Sequence, residues 1–194
     1  MSSDTHTFAE PEPRLLHRSI PAGEARVAVF NRTYDAPIED VWDACTNPER
    51  LRRWYVPVTG DLRVGGEFEQ GGMMPGGVIL RCEPPHLLVV SIGGGADEIE
   101  LRLTTEDEGS TMLELEHATT IDQHEILGTM YDAIFCMGGG YYPRLFALDL
   151  YLRDELPGDY DPMTFHERAD LRPVIDRGSA AMAALLEANG RTPS

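Results

Sequence analysis

VAVFNRTYDAPIEDVWDACTNPERLRRWYVP, residues 27–57, is the stretch whose reading decides the fold. Val27 to Tyr34 is rich in β-branched and aromatic residues, which pack well on a pleated surface, so it is predicted to be a strand. Asp35 stands where an N-cap belongs, its carboxylate able to accept from the free N–H groups of a first turn. Pro37 suits that first turn, because its missing N–H would have had no partner there. Glu39 and Asp40 place negative charge at the positive end of the helix dipole. Ile38, Val41, Trp42 and Cys45 recur at three- and four-residue spacing and form one apolar face. Thr46-Asn47-Pro48 stops this helix, and Pro48-Glu49 opens a second turn that carries Leu51 and Trp54.

The order of these residues resembles the opening of the SRPBCC superfamily, the START/Bet v 1-like helix-grip proteins. Within it, the chain is most similar to the subgroup of the activator of Hsp90 ATPase C-terminal domain. Ala36-Pro37, Val41-Trp42, Thr46-Asn47-Pro48-Glu49, Leu51 and Trp54-Tyr55-Val56-Pro57 carry the resemblance. It continues through Gly65-Gly66-Glu67-Phe68 and Glu83-Pro84-Pro85-His86-Leu87. It implies an α+β helix-grip fold: a curved antiparallel sheet wrapped around a long C-terminal helix, with a cavity between them. Fold alone does not fix function, because function lives in the site.

The expected organisation is a loose N-terminal arm over residues 1–25, a helix-grip domain over 26–156 and a helical extension over 157–194. The length of 194 residues suits one domain with tails, and 42% hydrophobic residues can fill a core. Net charge is −17, and every basic residue is Arg, so chemistry through a Lys Schiff base is excluded. Nucleic acid and anionic membrane both favour positive partners, so the acidic balance argues against either. Cys45, Cys82 and Cys136 are widely spaced in apolar context, which suggests buried free thiols in a reducing cytoplasm. The first residues lack the apolar core of a secretory signal, and no run has the length of a membrane-spanning helix, so a cytoplasmic location without membrane insertion is expected.

Along the chain, Glu67 to Gly71 starts a strand on which Phe68 and Gln70 share a face. Gly71 to Gly77 reads as a glycine-rich hairpin loop, with Met73 and Met74 as a candidate apolar lid. Val78–Glu83 and Leu87–Ile92 read as strands. In Glu98–Thr105, Ile99, Leu101 and Leu103 alternate with polar residues, as in a sheet with one wet face. Thr111–His117 repeats this, with Leu113 and Leu115 inward. Residues 121–137 read as a helix or an irregular lid, broken by Gly138-Gly139-Gly140. Tyr141–Leu156 is then the long helix, with Pro143 in its first turn, where it is tolerated. The resembled subgroup usually opens this helix with a Gly-Trp pair, and here the stretch is Gly140-Tyr141-Tyr142. Met163–Leu171 is expected to hold a short helix. Val174–Asn189 reads as a clear one closed by Gly190, packed on the domain or on a second subunit, which leaves a homodimer open.

The candidate cavity residues are Trp42, Trp54, Tyr55, Phe68, Gln70, Leu101, Leu115, His117, Tyr141 and Leu145. Trp42, Trp54 and Tyr55 either line a pocket mouth or pack the helices on the sheet. His117 shares its parity with Leu113 and Leu115, so it faces the concave side. There it could act as an acid or base, or orient a polar group of a ligand; the alternative is a hydrogen-bonded histidine at a strand end. The glycine run lacks the context of a phosphate cradle, the serines lack a hydrolase setting, and His117, His124 and Glu125 do not form a metal set. No metal or cofactor is read from the sequence, and no catalytic constellation is assembled. The leading expectation is therefore non-catalytic binding of a small hydrophobic molecule, whether lipid, aromatic or polyketide-like. One alternative is a cyclase/aromatase-type enzyme with His117 as its acid or base. Another is an Hsp90-co-chaperone-like module with a chaperone partner.

Overall fold

The computed structural model describes residues 11–72, 75–106 and 109–193. Among these described residues, ten strands and four α-helices follow one another. Eight strands form one antiparallel sheet in the spatial order β1-β2-β8-β7-β6-β5-β4-β3. They are β1 (Arg14–Ile20), β2 (Gly23–Tyr34), β3 (Val58–Gly60), β4 (Glu67–Gln70), β5 (Gly77–Glu83), β6 (Leu87–Ile92), β7 (Asp97–Thr105) and β8 (Thr111–Thr119). Sequential strands pair through short turns, and one non-sequential pairing, β2 with β8, closes the order. Helices α1 (Ile38–Thr46) and α2 (Pro48–Trp54) fill the connection after β2.

The long helix α3 (Ala133–Leu152) is gripped by the sheet. Ala28, Phe30 and Tyr34 of β2, Leu101 and Leu103 of β7, and Leu113 of β8 pack with Ile134, Tyr142, Leu145 and Leu148 of α3 in the main core. Phe30 lies against both Tyr141 and Tyr142, with ring centroids 5.2 and 6.2 Å apart. Two buried ion pairs fix α3 to β2. Arg26 reaches Asp132, just ahead of the helix, at 2.7 Å, and Arg32 reaches Asp149 near its far end at 3.1 Å. Asp132 also caps the helix, accepting from the N–H of Ile134.

Several expectations are corrected. Residues 14–20, placed in a loose arm, form the edge strand β1, paired with β2 from Arg14–Val29 to Ile20–Gly23. Pro11 is tied down as well, its carbonyl accepting from the Tyr142 hydroxyl at 2.7 Å; residues 1–10 lie outside the described residues. Asp35 does not cap α1: the cap position is Pro37, and no side chain bonds there. The cap is instead made at α2, where the Asn47 side chain accepts from the N–H of Glu49. Residues 121–132 are not helical but hold the hairpin of β9 (Gln123–Ile126) and β10 (Thr129–Asp132). The Met73-Met74 lid lies outside the described residues.

The largest difference concerns Gly138-Gly139-Gly140. The run does not break the chain; α3 passes through it, so Pro143 sits in the helix interior rather than its first turn. The reason is tertiary. The last helix, α4 (Arg172–Ala188), crosses α3 at this point, backbone against backbone. A methyl on Gly138 would sit 2.2 Å from the Gly178 carbonyl oxygen, and one on Gly178 would sit 2.4 Å from that of Gly138. The glycines cost helix propensity, and the close crossing offsets that cost. Val174, Met182 and Leu186 of α4 are buried in the main core, so α4 packs on its own chain. Gly190, with φ of 71°, follows its end as expected. The 163–171 segment contains one short 3-10 turn, Phe165–Glu167, rather than an α-helix.

Candidate ligand cavity

Between α3 and the sheet lies a cavity of about 200 Å³. Its volume is roughly six to seven times a water molecule's share of liquid. Neighbouring strands supply most of the wall: Phe68 and Gln70 from β4, Ile79 and Cys82 from β5, Leu88 and Val90 from β6, Ile99 and Leu101 from β7, and Leu113 and Leu115 from β8. Inward positions alternate along each strand. On β5 the alternation survives because the register slips between Ile79 and Arg81, so that Cys82 pairs with Leu88 and faces the same side as Ile79. Leu51, Trp54 and Tyr55 of the α2 region close one end, and Tyr141, Arg144 and Leu145 of α3 form the roof.

Eight of the ten residues picked from the sequence line this cavity: Trp54, Tyr55, Phe68, Gln70, Leu101, Leu115, Tyr141 and Leu145. Trp42 does not; it packs half-buried against the main core. His117 faces the concave side as its parity requires, but it stands behind Tyr141 rather than on the wall. Its Nδ1 lies 2.8 Å from the Tyr141 hydroxyl, and the hydroxyl's ring is the one that lines the cavity. On the other side, His117 Nε2 is 3.8 Å from Asp97 Oδ2, a carboxylate that the β7–β8 register brings to the same face. Burial pushes the Asp97 carboxyl up, but the neighbouring His117 and Thr119 outweigh it and hold the group below the usual carboxylate range.

Three polar side chains of the wall, Tyr55, Gln70 and Arg144, lie together. The Tyr55 hydroxyl donates to Gln70 Oε1 at 2.9 Å, and Gln70 Nε2 donates to the Pro75 carbonyl at 2.9 Å. Beside Tyr55 lies Arg144, its guanidinium 5.4 Å from that ring and 4.6 Å from the ring of Phe165. Arg144 is the functional candidate that the sequence reading missed. It is three residues after Tyr141 and one before Leu145, on the helix face the sheet covers, and that spacing was the available signal.

The chain beyond Leu156 takes part here, since Phe165 stacks on Arg144 and the Tyr160 hydroxyl reaches the Trp54 carbonyl at 3.4 Å. The cysteines differ from one another: Cys45 is buried, Cys136 half-buried and Cys82 exposed, against the expectation of three buried thiols. Burial pushes the Cys45 thiol up to about 12, so at neutral pH it is an uncharged wall group rather than a nucleophile.

A sheet that grips one long helix and leaves an apolar hollow beneath it defines the SRPBCC/Bet v 1-like helix-grip class. Residues 35–136 match the family model described as activator of Hsp90 ATPase homolog 1-like protein, and the chain belongs to that family. The solution structure of CalU16 from Micromonospora echinospora is 37% identical, with a TM-score of 0.77, covering 94% of this chain and 98% of that one. The CalU16 crystal structure gives 38% identity and a TM-score of 0.72 over 90% and 97% of the two chains. The likeness therefore takes in most of the helical extension past the family model. An HSP90 activator from Plasmodium falciparum shares the fold at 19% identity and a TM-score of 0.56, over 66% of this chain and 96% of that one. No functionally curated protein matches the chain. Among the described residues, no helix is long and apolar enough to cross a membrane.

Proposed function

We propose that the chain binds a small hydrophobic molecule in the cavity under α3 and does not transform it. The observation that carries this is the cavity itself: a hollow of about 200 Å³ walled largely by Leu, Ile, Val, Phe and Trp side chains. Apolar side chains that face an open hollow stay in contact with water and forgo packing partners, a cost that an apolar occupant removes. Tyr55, Gln70 and Arg144 form one polar group in an otherwise mostly apolar wall, and a few placed polar groups are how small-molecule sites fix orientation. Native mass spectrometry of the freshly purified protein, followed by solvent extraction, tests the reading. A bound apolar molecule of defined mass is expected. A protein of bare mass that also takes up no apolar compound on titration contradicts it.

A second reading, an enzyme of the cyclase/aromatase type, is favoured by one observation: His117, with Asp97 Oδ2 3.8 Å from its Nε2, lies 2.8 Å from the hydroxyl of Tyr141, a residue whose ring lines the cavity. In that reading Tyr141 exchanges the proton with substrate, and His117 serves it from behind. Loss of turnover of a polyketide-like substrate in both Tyr141→Phe and His117→Ala supports it; unchanged turnover in His117→Ala rules it out. The family's description also carries a chaperone partner as an alternative, for which capture of an Hsp90-type chaperone by the immobilised chain is the test.

A further inference from the structure

Arg144, half-buried, stands apart from the two buried arginines. Arg26 and Arg32 each face a buried carboxylate. Arg144 lines the cavity, and no acidic side chain among the described residues lies within ion-pair distance of it. Its Nη1 donates to the Gly140 carbonyl of its own helix at 2.8 Å, while its Nε is buried and meets no acceptor. Two aromatic faces, Tyr55 and Phe165, lie against the guanidinium. Ring faces attract the charge but accept its N–H groups poorly.

The neighbouring hydroxyls do not neutralise the cation either. Burial raises Tyr55, Tyr141 and Tyr160, the last to about 12, and the Arg144 charge offsets this only in part. All three are therefore protonated at neutral pH. Arg144 is half-buried, and its buried Nε–H meets no acceptor, so an anion brought into the cavity would satisfy a donor that is costly to leave open. The protein's own acidity makes the point sharper. At a net charge of −17 the chain does not gather anions by long-range attraction. An anion held at Arg144 is held by local contact.

We infer that the occupant of the cavity is an amphipathic acid, an apolar body under α3 with one carboxylate-like group received by Arg144. This rests on the cavity reading above. The body would lie against Leu88, Val90, Leu101 and Leu115, and the acid would meet Arg144 beside the Tyr55 hydroxyl. Planar guanidinium–carboxylate pairing supplies both strength and orientation.

Titration calorimetry of the full chain with 2-naphthoate and with its neutral analogue 2-naphthamide tests the assignment. The two share shape and differ in charge. The acid is expected to bind about ten- to a hundredfold more tightly, the range for a hydrogen bond to a charged group. Arg144→Gln is expected to bring the two affinities within about threefold by lowering that of the acid alone, and Arg144→Lys to keep part of the preference. The wild-type ratio stands as a readout even where a variant folds poorly. Equal binding of both compounds by the wild type overturns the acid assignment and leaves the hydrophobic cavity intact. Binding of neither overturns the cavity reading, and the acid assignment with it.

Discussion

The two sides of α3 are built on opposite plans. Towards α4 the helix has no side chains at its tightest point, and Gly138 and Gly178 bring two backbones so close that neither admits a methyl. Towards β4–β8 the same helix carries Tyr141, Arg144 and Leu145, and still leaves about 200 Å³ unfilled. One helix cannot be called loosely packed on one side when its other side is packed to contact. The hollow is a placed feature. It is kept open because α3 is fixed elsewhere: by Arg26–Asp132 and Arg32–Asp149 to β2, by the Tyr34 hydroxyl on the Leu145 carbonyl, and by α4 from behind. A helix held in this way spans the sheet without having to settle into it.

The largest expected effect comes from removing a fixing point. Asp149→Ala leaves Arg32 buried without its carboxylate and should cost about 3–5 kcal/mol in urea unfolding. Replacing both, Arg32→Met with Asp149→Leu, should recover most of that loss, since an apolar pair carries no stranded charge. Next comes a contrast between two additions of carbon. Gly178→Ala forces a methyl onto the Gly138 carbonyl and should cost about 1–3 kcal/mol or more. Leu115→Phe adds volume into the hollow and should stay within about 1 kcal/mol of wild type, because no neighbour has to move. A similar loss in both would mean that the two sides of α3 are equally full.

The deletion series should mirror this. Leu148→Ala, in the filled part of the core, should cost about 2–5 kcal/mol, whereas Leu115→Ala, already facing empty space, should fall at or below the lower end. The smallest effect concerns pH. The Asp97 carboxyl is held below its ordinary value in the fold, so it contributes stability above the unfolded carboxyl pKa of about 4 and loses it as pH falls through the folded value. Asp97→Asn should therefore be less stable than wild type at neutral pH, with the gap closing in acid, as followed by thermal unfolding.

What the sequence made legible follows the range of the forces involved. Alternation in Glu98–Thr105 and Thr111–His117, and the helix pattern around Val41 and Trp54, are local signals, and the sheet face and α1–α2 appear where they put them. Locally, three glycines disfavour a helix, so the glycine run reads as a break. What rescues the helix is Gly178, 40 positions away in the chain and invisible to any local rule. Strand β1 was missed because an edge strand needs only a partner, and Arg14, His17 and Arg18 spoil its apolar pattern. For the site, parity placed Leu101, Leu115 and His117 on the right face, yet parity says nothing of depth, and Tyr141 comes between His117 and the cavity. Beyond its helix spacing, Arg144 carries no local mark of a site; that no carboxylate among the described residues pairs with it is a tertiary fact.

The central claim is that the open side of α3 is a binding site. Titration of the neutral apolar fluorophore N-phenyl-1-naphthylamine into wild type and into Leu115→Trp, which fills the hollow, tests it most directly. Saturable one-to-one binding in the wild type that is lost in a folded Leu115→Trp variant is the expected result. Equal uptake by the two proteins, or none by the wild type, would contradict the claim.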